Sequence, residues 1–314
     1  MLIYQLVFGQ DYGQVNCAFH KDSVASAGIG PNGEYNCFAC GAKAHDEVSF
    51  ICKYFGVGPD RARRIKFALE RIQNYKYTKL PVDQAQEAYL KSVGISDAVI
   101  KKYFFKSRVG KLIYNHTWNG YSVGYTWFNP TTLPGYNASA GKYKYDKNNV
   151  GGMLTPYNDV MKYNKLVICE GEKDMLVAKS MGLPNAVAKI GGAKTYIIGG
   201  DNVLNKDIVI CYDCDDAGRE GAEQDATILT EKYAATVRVV DLALGKGEDL
   251  SDYFVKYNHS LQDFINLLQS TPVFVPKPKT KEDKFLNFIE SLSEEELNDL
   301  EKIIKNKKEK KENE

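Results

Sequence analysis

The chain has 314 residues, 44% of them hydrophobic and 26% charged, with 41 basic side chains against 40 acidic ones. That composition suits a folded globular protein, and no stretch approaches the ~20 apolar residues that a membrane-spanning helix needs. The length exceeds the ~250 residues at which a single core stops growing, so at least two domains are expected.

The near-neutral total hides a strong asymmetry: residues 1–150 carry 19 basic and 11 acidic side chains, whereas residues 151–274 carry 12 and 18. A basic front and an acidic middle suggest a polyanion bound at one surface and metal ions at another. The N-terminal MLIYQLVFGQDYGQ has no basic region before its short apolar run, so a secretory leader is not expected. The seven cysteines are an odd number, and several lie inside apolar runs, which argues for free thiols in a reducing, cytoplasmic setting.

In chain order, residues 11–58 read as a loop-rich segment closing on the helical run DEVSFICKYFG. The basic stretch DRARRIKFALERIQ at 60–73 continues as helix to a break at Pro81. Two short helices follow within 83–107, divided at Gly94, with Ser96 as N-cap of the second. KLIYNHTW and YSVGYTWF read as strands, and this part ends in GKYKYDKNN. From KLVICE at 165–170 onward, apolar strands alternate with helices through DIVICYDCDD at 207–216 and TVRVVDL, the pattern of a parallel sheet covered on both faces. PVFVPKPKTK at 272–281 reads as a linker. Beyond it, Ser293 and Glu296 form a capping box and Leu297, Leu300, Ile303 and Ile304 a helical stripe. Cys17-x2-His20 and Cys37-x2-Cys40 make the first of these segments a zinc ribbon, so the expected fold class is α/β, in four parts: a zinc ribbon (1–58), a basic α+β subdomain (59–150), a parallel-sheet domain (151–271), and a linker with a short helical tail (272–314).

Two constellations carry chemistry. Cys17-x2-His20 and Cys37-x2-Cys40 supply two ligand pairs from two tight turns, as a tetrahedral zinc site requires. His45 and Cys52 compete for a ligand place but lack the two-residue spacer. Four protein ligands leave no open position, so the ion is expected to be structural. The second constellation is acidic. Glu170 ends one strand with Asp174 a turn later, Asp213 and Asp215 end another, and Asp249 lies in GEDLSD after a third. Carboxylates at the carboxyl ends of parallel strands share one crevice. Like charges gathered there call for a hard cation such as Mg2+ or Mn2+.

E-G-x-x-D at 170–174 and D-x-D-x-A-G-R at 213–219 resemble the Toprim signature shared by bacterial-type primases, topoisomerases and some nucleases. With the Cys-His-Cys-Cys ribbon upstream, QEAYLKSVGISDAVIKKYF and GKYKY in between, the order of parts resembles bacterial and phage DNA primases over roughly residues 15–260. This resemblance implies a primase that makes RNA primers on single-stranded DNA from ribonucleoside triphosphates. Glu170, Asp213 and Asp215 would be catalytic and, with Asp249, would hold two cations. Those cations would clamp the triphosphate and activate the attacking hydroxyl. Lys142, Lys144, Arg219 and Asp174 would lie by the nucleotide or template. For Arg219 the alternative is an ion pair to Glu220 or Glu223. Where the family has a D-x-D pair, this chain has Asp249 and Ser251; either Asp252 takes that place or the second ion is held more loosely. Among the aromatic residues between 103 and 145, Tyr103, Tyr114, Trp118, Tyr125, Trp127, Tyr143 and Tyr145 offer stacking surfaces, although about two-thirds of such residues are expected in the core. No G-x4-G-K-[ST] occurs, so a fused helicase motor is not expected, and the tail is expected either to engage a separate replicative helicase or to fold back on the sheet. The rival function is a Toprim nuclease or defence protein.

Overall fold

The computed structural model describes residues 2–74, 78–133, 136–146, 149–198 and 200–277. Its chain up to Phe274 forms one compact unit. The capping box and apolar stripe expected beyond residue 281 lie outside the described residues.

Three sheets organise that unit. The first is a four-stranded antiparallel meander, Gly13–Val15, Ala27–Ile29, Tyr35–Cys37 and Lys43–Ala44, which carries the cysteine knuckles. Helix Glu47–Phe55 closes it. Asp46 caps this helix by accepting from Ser49 N, while the Ser49 hydroxyl approaches the Asp46 backbone in return, a reciprocal pairing that uses otherwise orphaned groups. The N-terminal apolar run LIYQLVF forms helix Leu2–Phe8, too short for its periodicity to show in the sequence. Tyr4 fixes it by donating from its hydroxyl to Gly33 O at 2.7 Å.

The second sheet is antiparallel and consists of Phe104–Lys106, Leu112–Trp118, Tyr121–Phe128 and Tyr143–Tyr145. Helices Pro59–Asn74, Gln84–Ser92 and Asp97–Tyr103 precede it in the chain. Gly94 supports the break between the last two: its φ of +91° is open to glycine, and an added Cβ would meet the Val255 side chain at 2.5 Å. Ser96 does sit at the N-cap, but its side chain makes no capping bond; its backbone N–H donates to Ser180 Oγ at 2.9 Å instead.

The third sheet holds the acids. Its order is Thr236–Val239, Asp207–Cys211, Lys165–Cys169, Ala186–Lys189 and Leu154–Thr155, the first four parallel and the last antiparallel. The antiparallel edge is a departure from the all-parallel pattern that the alternation suggested, because a two-residue strand carries too little periodicity to be seen in sequence. Strand side chains alternate between two cores. Leu166, Ile168, Ile208, Ile210 and Val237 face the cluster that includes Tyr35, Phe50 and Trp118. Val167, Cys169, Val209 and Cys211 face the cluster that includes Tyr114 and Phe128. Burial on both faces explains why these strands read as continuous apolar runs.

Candidate functional site

The parallel part of the third sheet starts at its Lys165–Cys169 strand, moves outward to Ala186–Lys189, then crosses back to Asp207–Cys211 on the other side. The crevice beyond the carboxyl ends at such a reversal is where α/β sheets bind ligands. Glu170 and Asp213 flank it. Glu170 Oε2 accepts from Asp213 N and Oε1 from Ala193 N, both at 3.4 Å, and burial pushes its carboxyl above the usual range. Asp215 caps helix Asp216–Tyr233 by accepting from Gly218 N at 2.7 Å. Gly218 is required because a Cβ there would lie 2.2 Å from the Asp213 carbonyl oxygen.

The tightest gathering of acids is Asp174, Asp213 and Asp249, whose carboxylate oxygens lie within 4.8 Å of one another. They come from the first turn of helix Glu172–Ser180 and from two strand-end loops. Burial, then Asp174 and Glu170, push Asp213 up to about 8. Burial and the neighbouring Asp249 push Asp174 up to about 7. Asp249 goes the other way: burial would raise it, but Lys173 holds it below the ordinary carboxylate range through a 2.7 Å contact to Oδ2. Such crowding of carboxyl groups is relieved when a metal ion binds.

Asp252 does not join this group. Its Oδ2 accepts from Asp249 N at 3.2 Å and its N–H returns to Asp249 Oδ1 at 3.0 Å, so it organises the turn. Ser251 is buried and donates to Asp174 Oδ1 from both N, at 3.1 Å, and Oγ, at 2.6 Å. Arg219 is exposed, its guanidinium reaching the Cys214 carbonyl at 3.4 Å. Lys142 and Lys144 are exposed at and beside the Tyr143–Tyr145 strand, and Lys142 shares with Lys173, Tyr89 and Asn129 the wall of a cavity of ≈ 390 Å³. Of the seven aromatic residues singled out, Tyr103, Tyr114, Trp118 and Tyr125 are buried. Trp127, Tyr143 and Tyr145 are partly exposed.

Three buried features escaped the sequence reading. Lys189 and Asp225, both with no exposed side-chain surface, form an ion pair beneath the crevice. Glu172 is pushed up to about 7 by burial and accepts from Thr126 Oγ1 at 3.1 Å and Tyr145 OH at 3.2 Å. His116 lies against the same carboxylate and is held down at about 3 by burial. None announces itself in sequence, since each pairs residues dozens of positions apart.

In the first sheet, Cys17, His20, Cys37 and Cys40 bring their ligand atoms within 4.8 Å of one another, a second group able to hold a metal ion. The Sγ atoms of Cys17 and Cys40 are 3.7 Å apart, and Cys37 Sγ lies 3.8 Å from His20 Nδ1. Backbone N–H groups of Phe19 and Cys40 point at the sulfurs of Cys17 and Cys37. His20 Nε2 meets Asp22 Oδ1 at 2.9 Å, the carboxylate support that orients a metal-bound imidazole. Neither His45 nor Cys52 belongs to the group.

A family model described as Toprim-like matches residues 167–254. A DNA primase of Listeria monocytogenes is 35% identical over 92 residues, covering 29% of this chain and 14% of the relative. A DNA primase of Campylobacter jejuni is 21% identical over 290 residues, covering 71% of this chain and 48% of that protein. The chain therefore spans less than half the length of these curated relatives. Among solved structures, the zinc-binding and RNA polymerase domains of the Aquifex aeolicus primase align with a TM-score of 0.51 at 20% identity, covering 83% of this chain and 79% of that one. In sequence and fold the chain is thus similar to bacterial DNA primases. No described helix is long and apolar enough to cross a membrane.

Proposed function

We propose that this chain is a DNA primase, joining ribonucleotides into short RNA primers on a single-stranded DNA template. The observation that carries this reading is the convergence of Asp174, Asp213 and Asp249 at the mouth of a Toprim-like sheet, with Glu170 bound to the Asp213 backbone. Hard carboxylate oxygens suit Mg2+ or Mn2+; Glu170, Asp213 and Asp215 would hold one ion, and Asp249 is the acid that a second ion would need. When bound, such an ion lowers the pKa of the attacking 3′-hydroxyl and neutralises charge on the transferring phosphate. Glu170 would orient the reacting groups from the floor of the crevice. Lys142, Lys144 and Arg219 would receive triphosphate or template phosphates at its rim, an interaction that weakens with salt.

The Cys-His-Cys-Cys group suits zinc. A tetrahedron with bonds of roughly 2.3 Å has edges of about 3.8 Å, close to the sulfur–sulfur and sulfur–nitrogen separations seen here. The ribbon (1–58) would hold template, the basic part (59–150) would bind it, and the sheet domain (151–271) would carry the chemistry. The segment 272–314 would meet a replicative helicase supplied separately.

Glu170→Gln tests the assignment. It preserves shape and removes one charge, so primer synthesis should vanish while zinc content and DNA binding stay near those of the parent. Substantial synthesis by the variant would sink the assignment.

A further inference from the structure

We propose that Lys173 is a resident cation standing in for one of two divalent ions, so that the acidic centre binds a single Mg2+ or Mn2+ beside Asp213. This rests on the metal-dependent reading above and specifies its stoichiometry. Lys173 lies one residue before Asp174, and its side chain is only 13% exposed. Its Nζ is 2.7 Å from Asp249 Oδ2 and 3.9 Å from Asp174 Oδ1, so one ammonium bridges two members of the acidic group. An ammonium taken this far out of water is held there by the carboxylates around it.

Two of the acids that would coordinate a second ion already face an ammonium or a pair of hydrogen-bond donors. Asp249 uses Oδ2 for Lys173 and Oδ1 for the Asp252 backbone. Asp174 Oδ1 receives both donors of Ser251. Asp252, a nearby acid that could supplement them, is turned to the Asp249 backbone. By contrast, among the described residues no hydrogen-bond donor reaches the Asp213 carboxylate, which lies within 4.8 Å of those of Asp174 and Asp249. Asp213 is the acid left open for an ion, with Glu170 and Asp215 at the same strand ends.

Charge gives the same answer. Relative to a D-x-D pair, Ser251 removes one negative charge, and Lys173 adds one positive charge a few ångströms away. The two changes together equal the charge of one divalent ion. Lys173 also faces the cavity that Lys142 lines, which places its ammonium beside the route a polyphosphate would take.

The test counts ions. The full zinc-loaded chain is titrated with Mn2+ without nucleotide, and free Mn2+ is read by electron paramagnetic resonance. One bound Mn2+ per chain is expected, and one again for Lys173→Arg, which keeps the charge. Lys173→Met combined with Ser251→Asp should bind two. Two ions on the parent chain, or one on a folded double variant, would overturn the proposal while leaving the primase reading intact. No bound Mn2+ on the parent would overturn the metal-dependent reading as well. Should the double variant fail to fold, the parent count decides.

Discussion

Asp225→Ala is the sharpest structural perturbation available beneath the acidic crevice. Asp225 lies on helix Asp216–Tyr233 with no exposed side-chain surface, and it holds Lys189 as an ion pair. It also accepts from Tyr212 OH at 2.6 Å and from Ile197 N at 3.0 Å. Truncation would leave a buried ammonium, a hydroxyl and an amide without their acceptor. Breaking one side of a buried ion pair costs about 3–5 kcal/mol. That is a large part of the ~5–15 kcal/mol that holds a protein folded. At roughly 3 kcal/mol per molar, the urea midpoint should fall by about 1–1.7 M. Lys189→Met combined with Asp225→Leu removes both charges and should recover most of that loss, since an apolar replacement of a buried pair is often neutral. The effect should also reach the crevice, because Lys189 Nζ donates to Ala193 O and Ala193 N donates to Glu170. A single-variant loss below about 1 kcal/mol, or a double variant no better than the single, would refute the reasoning.

Cys37→Ser should lose one zinc per chain by elemental analysis and loosen the ribbon, because a structural ion supplies folding free energy to so small a sheet; unchanged zinc would contradict the ligand set. Gly218→Ala drives a Cβ to 2.2 Å from Asp213 O, so it should weaken Mn2+ binding at least tenfold while costing about 1–3 kcal/mol of stability. His116 is buried and held down at about 3, so its native form binds fewer protons than the unfolded chain below pH ~6.5, and stability is lost as pH falls from there toward 3. Its neighbour Glu172, raised to about 7, acts with the opposite sign and remains in both proteins when parent and His116→Gln are compared. The parent's urea midpoint should therefore drop more steeply than that of His116→Gln between pH 6.5 and 5, and parallel slopes would count against the assignment.

The ligand quartet and the strand-end acids were legible because their chemistry is local: two residues between ligands, and a carboxylate following an apolar run. Tertiary pairing was not. Ser251 reads as a missing acid, yet its hydroxyl serves Asp174 across 77 positions of chain. Nothing in the sequence singles out Lys173, yet it closes on Asp249 76 positions away. The antiparallel edge Leu154–Thr155 and helix Leu2–Phe8 escaped because two residues show no period and seven show less than two full turns. The basic run at 60–73 is partly committed within the fold, Arg63 to Asp60 and Lys66 to Glu47 and Glu70, so its apparent charge overstates what is available to a polyanion.

The most direct measurement of the central claim is product length. The full chain is incubated with single-stranded DNA labelled at its 5′ end, four ribonucleoside triphosphates of which one is labelled, and Mg2+, and both labels are resolved by size. The account predicts a ladder of short RNA that requires template and metal, is absent with Glu170→Gln, and leaves the DNA intact. Shortened DNA with no incorporated ribonucleotide would contradict it and assign these acids to hydrolysis.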